Sequence, residues 1–133
     1  MAHPTPLRIL LVEDDSSTAR IITIGMRDLH TPYELDQAFT AEEALTLWRR
    51  QPYDLLLTDY NLRGISGLAL IEELKQAGAT APMVLFTAYE SSQLRADARR
   101  AGVAAFVAKP FFVDQFVNLA RSLLPIRAGE IGA

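Results

Sequence analysis

Short apolar runs recur along the chain, and each is followed by a stretch in which apolar residues return every three or four positions. The runs read as strands and the stretches as amphipathic helices. Ile9 to Val12 predicts the first strand, and Ser17 to Leu29 a helix with Ile22, Met26 and Leu29 on one face. Tyr33 to Ala38 mixes polar and apolar residues, as an edge strand does. Thr40 and Glu43 have capping-box spacing, and Ala41, Ala44, Leu45 and Trp48 then lie on one helical face until Pro52. Leu55 to Thr58 predicts a central strand, Gly67 to Ala77 a helix closed by Gly78, and Met83 to Thr87 a fourth strand. A helix from Ser91 or Ser92 to about Ala101 carries a thin apolar stripe, Leu94, Ala98 and Ala101, and stops at Gly102. Val103 to Ala108 predicts the fifth strand. The last helix, from Val113, uses Phe116, Val117, Ala120, Leu123 and Leu124 before Pro125.

Five strands alternating with five helices predict an α/β fold with a five-stranded parallel sheet flanked by helices on both faces. A polar second strand at one edge and buried strands one, three and four fit the order 2-1-3-4-5. In such a sheet the site lies beyond the carboxyl ends of strands one and three, where the order reverses. Residues 7–124 form the expected domain, with tails at 1–6 and 125–133.

The chain has 133 residues, half of them hydrophobic, which is enough for one domain with one full core. Its net charge is −3 with the charges interspersed, so no basic block suggests nucleic-acid binding by this chain. There is no cysteine, and His3 and His30 alone cannot build a zinc site. No apolar run has the length of a membrane span, and the first residues lack the apolar core of a secretory signal. A cytoplasmic protein with no membrane partner is expected.

The chemistry gathers where strands end. Leu55-Leu56-Leu57-Thr58 runs into Asp59 and then a Gly-rich loop, Arg63 to Gly67. The first strand ends in Glu13-Asp14-Asp15, and the fifth in Lys109-Pro110. Of 13 basic residues only Lys75 and Lys109 are lysines; Lys75 reads as an exposed helix residue, whereas Lys109 closes an apolar run. A compact ammonium there suits a phosphoryl group. Two carboxylates about 5 Å apart repel by roughly 3 kcal/mol at an effective dielectric near 20. The acidic cluster therefore needs a divalent cation before it can accept an anion.

Four segments carry a resemblance: Leu10 to Asp15, Leu55 to Asn61, Phe86-Thr87-Ala88 and Phe106 to Pro110. In this order, each at a strand end, they resemble the receiver domain of two-component response regulators. The resemblance implies that Asp59 accepts a phosphoryl group from a sensor histidine kinase or a histidine phosphotransfer protein, with Mg²⁺ as cofactor. It implies that Asp14, Asp59 and the Asn61 carbonyl bind the metal and that Glu13 acts through water. Asp15 is an alternative to Asp14, although its position also suits the helix start. Lys109 would neutralise the phosphoryl group, and the Thr87 hydroxyl would bond it. Thr87 and Phe106 would form a switch moving the face made by the fourth helix, fifth strand and fifth helix. The Lys109–Pro110 bond is expected to be cis. An effector domain or effector protein would receive the signal.

The chain also departs from the family pattern. Leu62 and Arg63 stand where many receivers have Met-Pro, and Phe106 lacks a tyrosine hydroxyl. Ala104-Ala105 lacks the acidic residues of ion-paired receiver dimers, and Tyr89 occupies a variable place beside the site. Phe111 and Phe112 read as helix-start packing, with one of them a candidate partner contact. Three other functions compete. An aspartyl phosphohydrolase needs an acid where Asn61 stands. A flavin-binding domain needs a hydroxyl- and Gly-rich loop where Glu13-Asp14-Asp15 stands. A degenerate receiver acting as an unphosphorylated docking module would not need the full set Asp14, Asp59, Thr87 and Lys109.

Overall fold

The computed structural model describes residues 5–125. Five parallel strands form one sheet in the order β2-β1-β3-β4-β5. They are β1 (Leu7–Val12), β2 (Tyr33–Ala38), β3 (Leu55–Asp59), β4 (Met83–Thr87) and β5 (Ala105–Ala108). The helices between and after them are α1 (Ser16–Gly25), α2 (Ala41–Arg50), α3 (Gly67–Gln76), α4 (Ser92–Arg100) and α5 (Val113–Leu123). The order and the edge position of β2 agree with the sequence pattern. The tails expected at 1–6 and 125–133, His3 included, fall mostly outside the described residues.

Alternation along the strands splits the core between the two faces of the sheet. Leu10, Val12, Leu56 and Leu85 pack under α2, α3 and α4, with Trp48 and Leu74. Ile9, Leu11, Leu57, Val84 and Phe86 pack under α1 and α5, with Ile22 and Phe116. The helices differ in how firmly they are held. Phe86, Phe111 and Phe116 form a cluster of edge-on rings with centroids 4.5 to 6.1 Å apart. On the other face α4 buries only Leu94 and Ala98.

Several boundaries differ from expectation. The first helix does not run to Leu29; its α-helical part ends at Gly25, and Met26–Leu29 form a 3₁₀ turn closed by His30 at φ 55°. In a 3₁₀ turn residues i and i+3 eclipse, so Met26 and Leu29 both still face the core. The fifth strand begins at Ala105 rather than Val103, because residues through Val103 close α4. Gly102 adopts φ 81°, its N–H donates to Arg99 O, and Val103 N–H donates to Ala98 O. The first strand gains Leu7 and Arg8, paired with Tyr33 and Glu34. Lys75 is half-buried rather than exposed, and its side chain lies over Gly102.

Candidate functional site

Because all strands run the same way, their carboxyl ends share one rim. Val12 pairs with Thr58, and Asp59 pairs with Phe86. The residues following β1 and ending β3 therefore lie side by side. Asp59 is only 4% exposed. Its Oδ2 accepts a 2.8 Å hydrogen bond from Lys109 Nζ, and its Oδ1 accepts one of 3.1 Å from the Asn61 backbone N–H. Lys109 reaches it from the end of β5, with its ammonium 5.4 Å from the centre of the Phe86 ring. The Lys109–Pro110 bond is cis, as expected.

Glu13 is 1% exposed, and its Oε1 accepts a 3.2 Å bond from Asp15 N–H. Its Oε2 is buried without a hydrogen-bond partner among the described residues, 3.9 Å from Lys109 Nζ. Burial first, and then the neighbouring Asp59 carboxyl, push the Glu13 pKa up to about 8, against the pull of Lys109 and the Asp15 amide. A buried acid crowded by a second acid favours sharing a proton or a cation.

Asp14 is half-buried between this acid and the helix start. Asp15 has another job. It caps α1, with Oδ2 accepting from Thr18 N–H at 3.2 Å and from Thr18 Oγ1–H at 2.5 Å. These bonds lower its pKa below the usual carboxylate range. The pattern Asp15-Ser16-Ser17-Thr18 already carried that signal in the sequence.

The loop after β3 is pinned by hydrogen bonds rather than by proline. Gly67 N–H donates to Tyr60 O at 2.9 Å, and Thr58 Oγ1–H donates to Asp59 O at 3.0 Å. A Cβ on Gly67 would lie 2.0 Å from Asp59 O, so only glycine lets α3 begin this close to Asp59. Sequence reasoning noticed the Gly-rich loop and missed this contact, which only the packing of α3 on β3 creates.

Thr87 is fully buried, and its Oγ1 accepts from Tyr89 N–H at 2.9 Å. Phe106 is half-buried, in register beside Leu85, with the Arg95 guanidinium 4.6 Å above its ring. Phe111 joins the aromatic cluster, whereas Phe112 is 80% exposed. Ile21, Ile24 and Phe39 are further exposed apolar side chains, on and beside α1. Tyr89 is exposed and Asn61 lies at the surface.

Among the described residues no group of three acidic, His or Cys side chains forms a ready metal cage. An ion that retains several waters and takes one or two carboxylates still fits this donor set. The orphaned Glu13 oxygen beside a second carboxylate is the structural reason to expect one. A larger cavity of about 730 Å³ lies at the opposite, amino end of the sheet, beside Trp48 and Tyr53, whose rings are 5.4 Å apart. It shares no residue with the acidic cluster. No helix among the described residues is long and apolar enough to cross a membrane.

Comparison with known proteins agrees with the fold. Residues 9–121 match the family model described as the response regulator receiver domain. The chain is 30% identical over 125 residues to the transcriptional regulatory protein DltR of Streptococcus agalactiae, covering 94% of this chain and 54% of that protein. It is 32% identical to the response regulator protein PilR of Pseudomonas aeruginosa, covering 92% of this chain and 27% of that protein. The chain thus spans about half the length of one relative and about a quarter of the other. Among solved structures, the CheY-like receiver domain protein from Methanospirillum hungatei JF-1 superposes with a TM-score of 0.81 at 24% identity, over 89% of this chain and 93% of that one. The BeF3-activated DrrB receiver domain superposes at 0.80 with 18% identity, over 90% and 97% of the two chains. With a family model spanning nearly every strand and helix, this chain belongs to the response regulator receiver domains of two-component systems.

Proposed function

We propose that this receiver is phosphorylated on Asp59 by a histidine kinase or a histidine phosphotransfer protein in a Mg²⁺-dependent reaction. The observation that carries this reading is Lys109 Nζ at 2.8 Å from Asp59 Oδ2, beside a buried Glu13 with one oxygen unpartnered among the described residues. A carboxylate oxygen of Asp59 attacks the phosphorus of phosphohistidine. The P–N bond breaks, the imidazole leaves with its electron pair, and an acyl phosphate remains. In phosphoryl transfer the protein's part is to position groups and balance charge. Lys109 is placed to turn from the carboxylate to a phosphoryl oxygen. The Asn61 amide holds the other carboxylate oxygen, which would leave the oxygen facing Lys109 to attack.

Asp14, Asp59 and the Asn61 carbonyl would hold the Mg²⁺, with Glu13 acting through water. The ion would supply the positive charge that lets an anionic donor approach an acidic pocket. Thr87 has its hydroxyl already tied to the Tyr89 amide, so a new bond to phosphate would pull that loop. Exposed Phe112 and the apolar side chains near α1 offer contact surface for a donor protein. The signal would pass to an effector domain or effector protein, in the cytoplasm.

The test is intact mass after treatment with acetyl phosphate or beryllofluoride, with and without Mg²⁺. A Mg²⁺-dependent adduct in the native protein, absent from Asp59→Asn, is expected. No adduct under any condition would replace this reading with that of an unphosphorylated docking module.

A further inference from the structure

α4 carries a charge in an unfavourable place. Its first turn has no acidic residue, and Arg95 sits one turn inside the amino end, where the helix dipole opposes a cation. Two contacts outside the helix account for it. Arg95 Nε–H donates to Glu90 Oε1 at 2.7 Å, with a second bond from its terminal nitrogen to the same oxygen. The guanidinium also lies over the Phe106 ring, 4.6 Å from its centre. Glu90 stands three residues after Thr87 on the loop leading to α4, and Thr87 Oγ1 holds the Tyr89 amide. A continuous chain of contacts therefore runs from Thr87 through Tyr89 and Glu90 to Arg95 and the ring of Phe106.

Beyond its packing against the core, the ring has space beside it. A cleft of about 170 Å³ opens beside it, lined by small residues such as Ala98, Ala104 and Ala105. Phenylalanine carries no hydroxyl, so no hydrogen bond of its own fixes the ring in any seat. Arg95 supplies the directional contact that favours the present one.

We propose that the Glu90–Arg95 pair is a latch that holds Phe106 in its present seat and is released when the Thr87 loop moves. This deepens the phospho-acceptor reading, because phosphate capture by Thr87 is what would shift Glu90. Arg95 is a positioning residue acting through Phe106. It faces solvent for nearly half of its side chain, so its replacement leaves the fold intact.

The experiment is NMR of the protein labelled with ¹³C in its phenylalanine rings, with Phe106→Leu used to assign the Phe106 signals. Spectra are taken without any phosphodonor and then across a titration of beryllofluoride with Mg²⁺. Arg95→Ala is expected to move the Phe106 signals before any donor is added. It is also expected to lower the beryllofluoride needed for half-conversion about 3- to 10-fold, the worth of an exposed cation–π contact and a surface ion pair. Arg95→Lys retains part of the native behaviour. Exchanging the two charges, with Glu90→Arg and Arg95→Glu together, restores an ion pair but puts a carboxylate over the ring, so it does not restore the native spectrum. Unchanged Phe106 signals in Arg95→Ala, or full rescue by the exchange, overturn the latch. A native protein that takes up no beryllofluoride defeats the acceptor reading instead, while the donor-free spectra still decide the latch.

Discussion

Lys109 Nζ lies 2.8 Å from Asp59 Oδ2 and 3.9 Å from Glu13 Oε2, so one ammonium serves two buried carboxylates. Replacing it with an isosteric apolar residue leaves both acids without a cation. Lys109→Met is expected to cost about 2–4 kcal/mol in urea unfolding without metal, slightly below the usual loss for a broken buried pair because the ammonium is partly solvated. Added Mg²⁺ should recover part of the loss. Phosphoryl uptake from acetyl phosphate should fall even when Mg²⁺ restores stability.

The unpartnered Glu13 oxygen makes metal binding readable as heat resistance. Mg²⁺ is expected to raise the melting temperature of the native protein, since a ligand that binds only the folded state stabilises it by mass action. Glu13→Gln removes a crowded buried acid. It should raise the metal-free melting temperature, by about 4 °C for each kcal/mol relieved, and shrink the increment that Mg²⁺ adds. Differential scanning fluorimetry of both proteins over a Mg²⁺ series measures this. An equal Mg²⁺ increment in the two would count against Glu13 as part of the ion's surroundings.

The two loop glycines after Asp59 should respond differently to alanine. At Gly67 the new Cβ meets the Asp59 carbonyl at 2.0 Å, a backbone atom that cannot yield without moving Asp59. Gly67→Ala should cost about 3 kcal/mol or more, at the top of the range for overpacking, and reduce phosphoryl uptake. At Gly64 the neighbour is the Glu42 carboxylate at 2.9 Å, on a flexible side chain, and the strain is mainly in φ at 81°. Gly64→Ala should cost about 1 kcal/mol and leave uptake nearly native. Urea titrations paired with single-turnover phosphorylation separate the two.

Ser91 caps α4, accepting from Leu94 N–H at 3.0 Å, over a helix that buries only Leu94 and Ala98. Ser91→Ala should cost about 1 kcal/mol. The loss should be local, with α4 amides exchanging faster in hydrogen–deuterium exchange while α5 amides keep their protection. Uniform acceleration across both helices would mean that α4 does not open independently.

Much of the site was legible because a charge at the end of a buried apolar run is conspicuous. Asp59 and Lys109 both stand out this way, and the sheet order brings their strands within reach. The α1 boundary was less legible, since Met26 and Leu29 are spaced three apart and satisfy α-helical and 3₁₀ periodicity equally. The capping role of Asp15 rests on its contact with Thr18, a local pattern that the sequence already carries. The close approach of Gly67 to Asp59 and the stacking of Arg95 on Phe106 could not be read there. Both are contacts between elements, and an exposed arginine has no hydrophobic period to betray its partner.

The light hold on α4 gives any disturbance at the rim a preferred direction. Interlocked rings behind β4 resist displacement, so a group added at Asp59 would meet a wall on the α5 side. α4 is moored by two buried apolar side chains and a surface ion pair. A helix held this lightly is the one that a push at the rim would shift at least cost.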